Sequence, residues 1–178
     1  MNVRHHRRLV ATIVVAIALS ATVATASSPS FTQPAVARSG ANRVAVAAVP
    51  RADLRVALLM VDLINVERAR RGLTRLTWND RVDAAARAHS DDMAAHRTMQ
   101  HAGTDGSDAG DRLTREGFVW RTWAENIAAG QQTAEAVLAD WMASTGHRAN
   151  LLGNFNLIGV GATATPDGVP YWTIVLAS

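Results

Sequence analysis

Neither cysteine nor lysine occurs among the 178 residues. The first absence excludes disulfides and a lipid carried on a cysteine thiol, so stability has to come from packing rather than cross-links. The second makes all 18 basic residues arginines, and Arg4, Arg7 and Arg8 crowd the start. The other 15 face 15 acidic residues, so the rest of the chain is near neutral although the whole carries a formal charge of +3. Aromatic residues are sparse, at 5%, and no basic stripe with interleaved aromatics appears. Nothing in the charge pattern therefore points to nucleic acid. Apolar content is an ordinary 48%, which fits one modest domain plus non-domain sequence.

The start of the chain has a clear order. A basic head, Met1-Asn2-Val3-Arg4-His5-His6-Arg7-Arg8, precedes an apolar run over residues 9–24, and Ala24-Thr25-Ala26 stands before Ser27. Basic head, apolar middle and small-x-small end predict a secretory signal peptide over residues 1–26, cleaved after Ala26. An uncleaved anchor is the alternative, because the run approaches the roughly 20 residues that span a bilayer. The cleavage site directly behind the run favours removal, and hence a secreted protein without stable membrane insertion. Residues 27–52, with Pro29, Pro34, Gly40 and Pro50 and no periodic apolar face, are expected to be a disordered linker. The domain is then residues 53–178.

Periodicity sketches that domain. Asp53 is placed to cap a helix carrying Leu54, Leu58, Val61 and Ile64, which ends near Arg70-Arg71-Gly72. Asn79 can cap a second, with Val82, Ala85, Ala86, His89 and Met93 on one side and Arg81, Asp83, Arg87 and Asp91 on others. His89, on an apolar stripe, reads as a hydrogen-bonded core residue. Residues 103–110 alternate turn formers with Asp105 and Asp108, read as an Asx turn leading into a short helix rather than a calcium loop, since the closing glutamate of an EF-hand is missing. Thr133 caps a further helix that holds Trp141 as a packing residue. The tail, residues 158–176 broken by Pro166-Asp167-Gly168, alternates as a β-hairpin does.

Three short segments carry the chemistry: Gln100-His101-Ala102-Gly103, Trp123-Ala124-Glu125-Asn126-Ile127-Ala128 and Thr145-Gly146-His147-Arg148-Ala149-Asn150. Two imidazoles and a carboxylate can hold a divalent metal with a fourth position open to water, or move protons. The spacings, 24 residues from His101 to Glu125 and 22 more to His147, are unlike the compact His-Glu-x-x-His helix of zinc proteases, so only the fold can unite them. The alternative is structural, with Glu125 tying backbone amides and His147 capping the preceding helix. A serine mechanism through Ser144 or Ser90 ranks lower, because no nucleophile elbow or aspartate partner can be read.

In order and framing these segments resemble the CAP superfamily, the cysteine-rich secretory, antigen 5 and pathogenesis-related proteins, and in particular its bacterial SCP-like branch. Asn65-Val66-Glu67-Arg68 is similar to the family's Asn-x-x-Arg, Leu76-Thr77-Trp78 to its Leu-x-Trp, Glu125-Asn126-Ile127 to its Glu-Asn-Leu/Ile box, and Gly146-His147-Arg148-Ala149-Asn150 to its Gly-His-x-Thr-Gln, followed by Ile158-Gly159-Val160-Gly161. The resemblance implies an α+β fold, a three-layer α-β-α sandwich with a small antiparallel sheet. It also implies a pocket of His101, Glu125 and His147, with Ser144 and Asn150 beside them and a divalent cation such as zinc on His101, His147 and Glu125. One departure is plain: where four-residue pockets carry a second glutamate, this chain has Ser144. The function the resemblance implies is a secreted module binding a lipid, a peptide or a cell-wall fragment. A metal-dependent extracellular hydrolase and a scaffold with a vestigial pocket are the alternatives.

Overall fold

The computed structural model describes residues 51–178, so the signal peptide expected over residues 1–26 and the expected linker as far as residue 50 lie outside the described residues. Five helices, α1 (Arg51–Ala69), α2 (Asp80–His96), α3 (Ala109–Arg115), α4 (Ala134–Ala143) and α5 (Thr145–Leu151), accompany four strands. The strands are β1 (Thr77–Trp78), β2 (Trp123–Ala129), β3 (Leu157–Ala164) and β4 (Pro170–Ala177), in the sheet order β1-β3-β4-β2. The two-residue β1 runs parallel to β3, and the other pairs are antiparallel.

Successive residues of a strand point to opposite faces, and that alternation sorts the helices into two layers. Ala124, Ala128, Ile158, Val160, Trp172, Ile174 and Leu176 pack on Met60 and Ile64 of α1, Val137 and Trp141 of α4 and Leu151 of α5. The opposite face packs through Val175 and Ala177 on Val82, Ala85 and Ala86 of α2 and Leu113 of α3, and through Ile127 and Tyr171 on Met93. The result is the α-β-α sandwich. Each fully buried aliphatic side chain contributes about 1.5–3 kcal/mol, and a core built this way holds without cross-links.

Glycines set how closely α2 approaches. A Cβ on Gly159 would lie 2.2 Å from the backbone nitrogen of Asp83, and one on Gly161 would lie 2.5 Å from the carbonyl of Ala86. The Gly-x-Gly of β3 is therefore the seat of α2. Asp83, expected on an outer face, is buried instead: its Oδ1 accepts from the amide of Val160 at 3.3 Å and its Oδ2 from Arg87 at 2.8 Å. An acidic residue can sit there because both oxygens are satisfied.

The Asn-x-x-Arg of α1 is structural. Asn65 bonds both the amide and the carbonyl of Leu76, at 2.7 and 3.0 Å. Arg68, 2% exposed, donates to the carbonyls of Leu151 and Gly153 at 2.8 and 2.9 Å, joining α1 to the end of α5. Asp53, read as an N-cap, lies inside the first turn of a helix that begins at Arg51. The other caps hold: Asn79 accepts from Arg81 and Val82, and Thr133 from Ala136. Asp108 and Asp111 form a reciprocal capping box on α3. Asp105 accepts from the amide of Ser107 at 2.9 Å, the Asx turn expected of this loop.

Candidate functional site

The site is built on β2, an edge strand of the sheet. Its neighbours Glu125 and Asn126 point to opposite faces, so one strand reaches into both helical layers at the sheet's margin. Glu125 turns to the α2/α3 side, where its Oε1 lies 2.8 Å from His101 Nδ1 and its Oε2 accepts from Arg112 Nη2 at 2.6 Å. Asn126 turns to α5, donating to the carbonyl of His147 at 3.1 Å and accepting from Asn150 Nδ2 at 2.9 Å. Asn150 also donates to the carbonyl of Glu125 at 3.3 Å, and Trp141 Nε1 donates to that of Ile127 at 3.0 Å. Side chains of α5 and α4 thus cover carbonyls of the edge strand, a protection that edge strands need.

Glu125 is 2% exposed at its side chain, whereas His101 is 61% exposed. A buried carboxylate therefore grips an imidazole that stands in solvent. Since the carboxylate only accepts, Nδ1 of His101 carries the proton and Nε2 of the neutral ring keeps its lone pair. The hydrogen bond to Glu125 raises the pKa of His101 against the opposing effect of burial. Burial lowers the pKa of His147, and the nearness of His101 lowers it further.

A cleft of about 400 Å³ opens beside this pair, lined by His101, Ser107, Asp108, Trp123, Glu125 and Asn150 among others. His147 is half-buried on α5 and does not line it, nor does Ser144, the junction between α4 and α5. The structure brings together His101, Glu125 and Asn150 from the expected set and leaves His147 and Ser144 outside the cleft. The carbonyl of Met142 at the end of α4 is bonded by Arg148 at 2.8 Å, the capping role that had been open to His147. Glu125 binds side chains rather than the backbone amides of a loop.

Arg112 is the residue that the motifs did not name. It is 5% exposed on α3, pairs with Glu125, and donates to the carbonyls of Ser107 and His101 at 2.8 and 3.3 Å. It fastens the 101–107 loop to β2. Its signal in the sequence is faint, an arginine in helical register with Ala109 and Leu113. His89 is fully buried and bonds the carbonyl of Gln100 through Nε2 at 2.9 Å, as expected of a core histidine, and that nitrogen also lies 3.9 Å from Glu125.

Among the described residues, no three His, Asp or Glu side chains form a group able to hold a metal ion. Both oxygens of Glu125 are engaged, so the geometry gives it the place of a carboxylate that orients an imidazole rather than of a third ligand.

Residues 61–176 match the sequence profile of the CAP family, described as the cysteine-rich secretory protein family. The chain is 40% identical over 103 residues to the uncharacterized protein YkwD of Bacillus subtilis, a stretch covering 57% of this chain and 40% of that protein. An extracellular protein containing an SCP domain from Bacillus anthracis superposes with a TM-score of 0.64 at 32% identity, covering 70% of this chain and 41% of its own. An outer surface protein of Borrelia burgdorferi also gives 0.64, at 19% identity over 68% of this chain and 90% of that one, a likeness of fold. The chain spans about 40% of the length of the first two relatives. No helix among the described residues is long and apolar enough to cross a membrane.

Proposed function

The chain belongs to the CAP family, and from that premise we propose that it is a secreted binding module whose ligand, a lipid, a peptide or a cell-wall fragment, contacts the cleft at His101, Glu125 and Asn150. The observation that carries this reading is the exposed imidazole of His101 held by the buried Glu125–Arg112 pair. A preorganised polar group on a shallow cleft suits recognition, because little ordering remains to oppose binding. His101 and His147 together offer nitrogen ligands to a divalent cation, which would add a Lewis-acidic contact for a carbonyl or phosphate oxygen.

Export would leave an N-terminus at Ser27, and mass spectrometry of culture medium checks it; an intact Met1 in the membrane fraction contradicts it. A binding screen of lipids, peptides and cell-wall fragments tests the cleft, with His101→Ala and Asn150→Ala as the discriminating variants. Ligands that bind both variants as well as wild type would remove the cleft from consideration. Zinc calorimetry on wild type, His101→Ala and His147→Ala tests the cation. Binding should weaken as pH falls, beginning above the usual histidine value of about 6.5, because the proton on His101 is held more tightly than usual and competes with the metal. No heat near neutral pH, or equal heats in all three proteins, would overturn the shared site. The His101–Glu125 contact also matches a general base with its orienting carboxylate, which favours a metal-dependent hydrolase as the second reading. Hydrolysis abolished by both chelation and His101→Ala would support that alternative.

A further inference from the structure

Backbone groups on the outer edge of β2 reach the cleft. Thr122 bonds to Ser178 and Gly130 to Pro170, so the even-numbered residues between them face β4, and the amides and carbonyls of Trp123, Glu125 and Ile127 point away from the sheet. Asn150 covers the carbonyl of Glu125, and Trp141 covers that of Ile127. Among the described residues, the carbonyl of Trp123 and the amide of Glu125 have no such partner. Both residues line the cleft. Glu125 is 6% exposed as a residue but 2% exposed at its side chain, so the surface it shows is mainly backbone. A second polar cavity, of about 250 Å³ between α2, α3 and the 103–107 loop, includes neither residue.

A strand edge with unpaired groups is a template for another strand. Here the carbonyl and the amide stand on either side of Ala124 and face the same way. A ligand that meets both must present an N–H and a C=O along one edge, as a single residue of an extended peptide does. An N-acetyl sugar carries one planar trans amide, whose N–H and C=O point in opposite directions. An ionised fatty acid brings acceptors and no donor. A residue bridging the two groups runs parallel to β2 and sets its side chain on the Ala124 side, where Asn150 also lines the cleft. Its neighbours in the peptide then fall on the side of Trp123 and His101. The cleft of about 400 Å³ has room for a short peptide.

We propose that the cleft takes a short extended peptide parallel to β2, one residue of which donates its N–H to the carbonyl of Trp123 and accepts at its C=O from the amide of Glu125. This rests on the reading of the cleft as a binding site and selects the peptide among the ligand classes. The probes are capped tripeptides, acetyl-X-Ala-X-amide with X leucine, aspartate or arginine, beside N-acetylglucosamine and decanoate. Each is titrated into the intact chain while the backbone amides are followed by NMR. At least one tripeptide should move the Glu125 amide resonance downfield and saturably, as a gained hydrogen bond does. Methylating the nitrogen of its central alanine removes the donor to Trp123 and should weaken binding at least about tenfold. Ala102→Leu, at an exposed position lining the cleft, should weaken it likewise by filling the site. If only the sugar or decanoate moves the cleft resonances, the peptide proposal falls while the cleft remains a binding site. If no probe moves them, both fall. A tripeptide response that survives N-methylation or Ala102→Leu also overturns the proposed pairing.

Discussion

A buried carboxylate stripped of its counter-ion is among the costliest single defects in a small domain, and Glu125 depends on Arg112 in this way. Arg112→Ala should destabilise the fold by about 3–5 kcal/mol, read from denaturant unfolding. Arg112→Lys should fall between, since it keeps the charge but loses the fork that reaches Glu125 and the Ser107 carbonyl together. Glu125→Gln tests the other half of the contact. In the folded protein the pKa of His101 is raised, so the contact stabilises most below the unfolded histidine value of about 6.5 and loses its contribution as pH rises through the folded value. An NMR titration should place the His101 midpoint lower in Glu125→Gln than in wild type. An unchanged midpoint would mean that Glu125 does not set the state of this imidazole. His101 and Glu125 could be singled out from their motifs, whereas Arg112 could not, because what distinguishes it is a partner 13 residues away.

Elements differ in how openly the sequence announces them. The second helix, the hairpin and the caps at Asn79 and Thr133 follow local rules, with periodic apolar residues and short polar side chains at the ends. β2 does not: five of its seven residues are buried, and two of those, Glu125 and Asn126, are polar. No alternation of apolar and polar residues marks it, since each polar side chain is satisfied by a distant partner. The seat of α2 on β3 gives the sharpest test at this scale. Gly159→Ala should cost about 3 kcal/mol or more, because the added methyl meets helix backbone that cannot rotate aside. Gly146→Ala, with nothing within 4 Å of its Cβ, should be neutral or up to about 1 kcal/mol stabilising in thermal unfolding.

For the whole molecule, stability rests on the two cores that sandwich the sheet. Trp141 is 1% exposed in the larger one and bonds the carbonyl of Ile127. Trp141→Ala should cost about 3–5 kcal/mol in equilibrium unfolding. A chain beginning at Arg51 should melt cooperatively within a few degrees of one beginning at Ser27, since residues 27–50 offer no periodic apolar face to bury. Loss of cooperativity on that truncation would assign the segment a structural part.

Composition, periodicity and the order of the short motifs were enough to determine a cysteine-free, near-neutral domain of helices around a small sheet, and the family it resembles. These are local or statistical properties, and a chain displays them before it folds. The tertiary structure alone decided that Glu125 holds His101 and Arg112 at once, that Ser144 and His147 stay out of the cleft, that Arg112 fastens the site, and that a second polar cavity lies behind it. Each of these depends on contacts between residues far apart in sequence, 24 residues for His101 with Glu125 and 13 for Arg112 with Glu125. Such pairs meet only because the edge strand turns Glu125 toward the side where α3 and the 101–107 loop pack, and no spacing along the chain encodes that meeting.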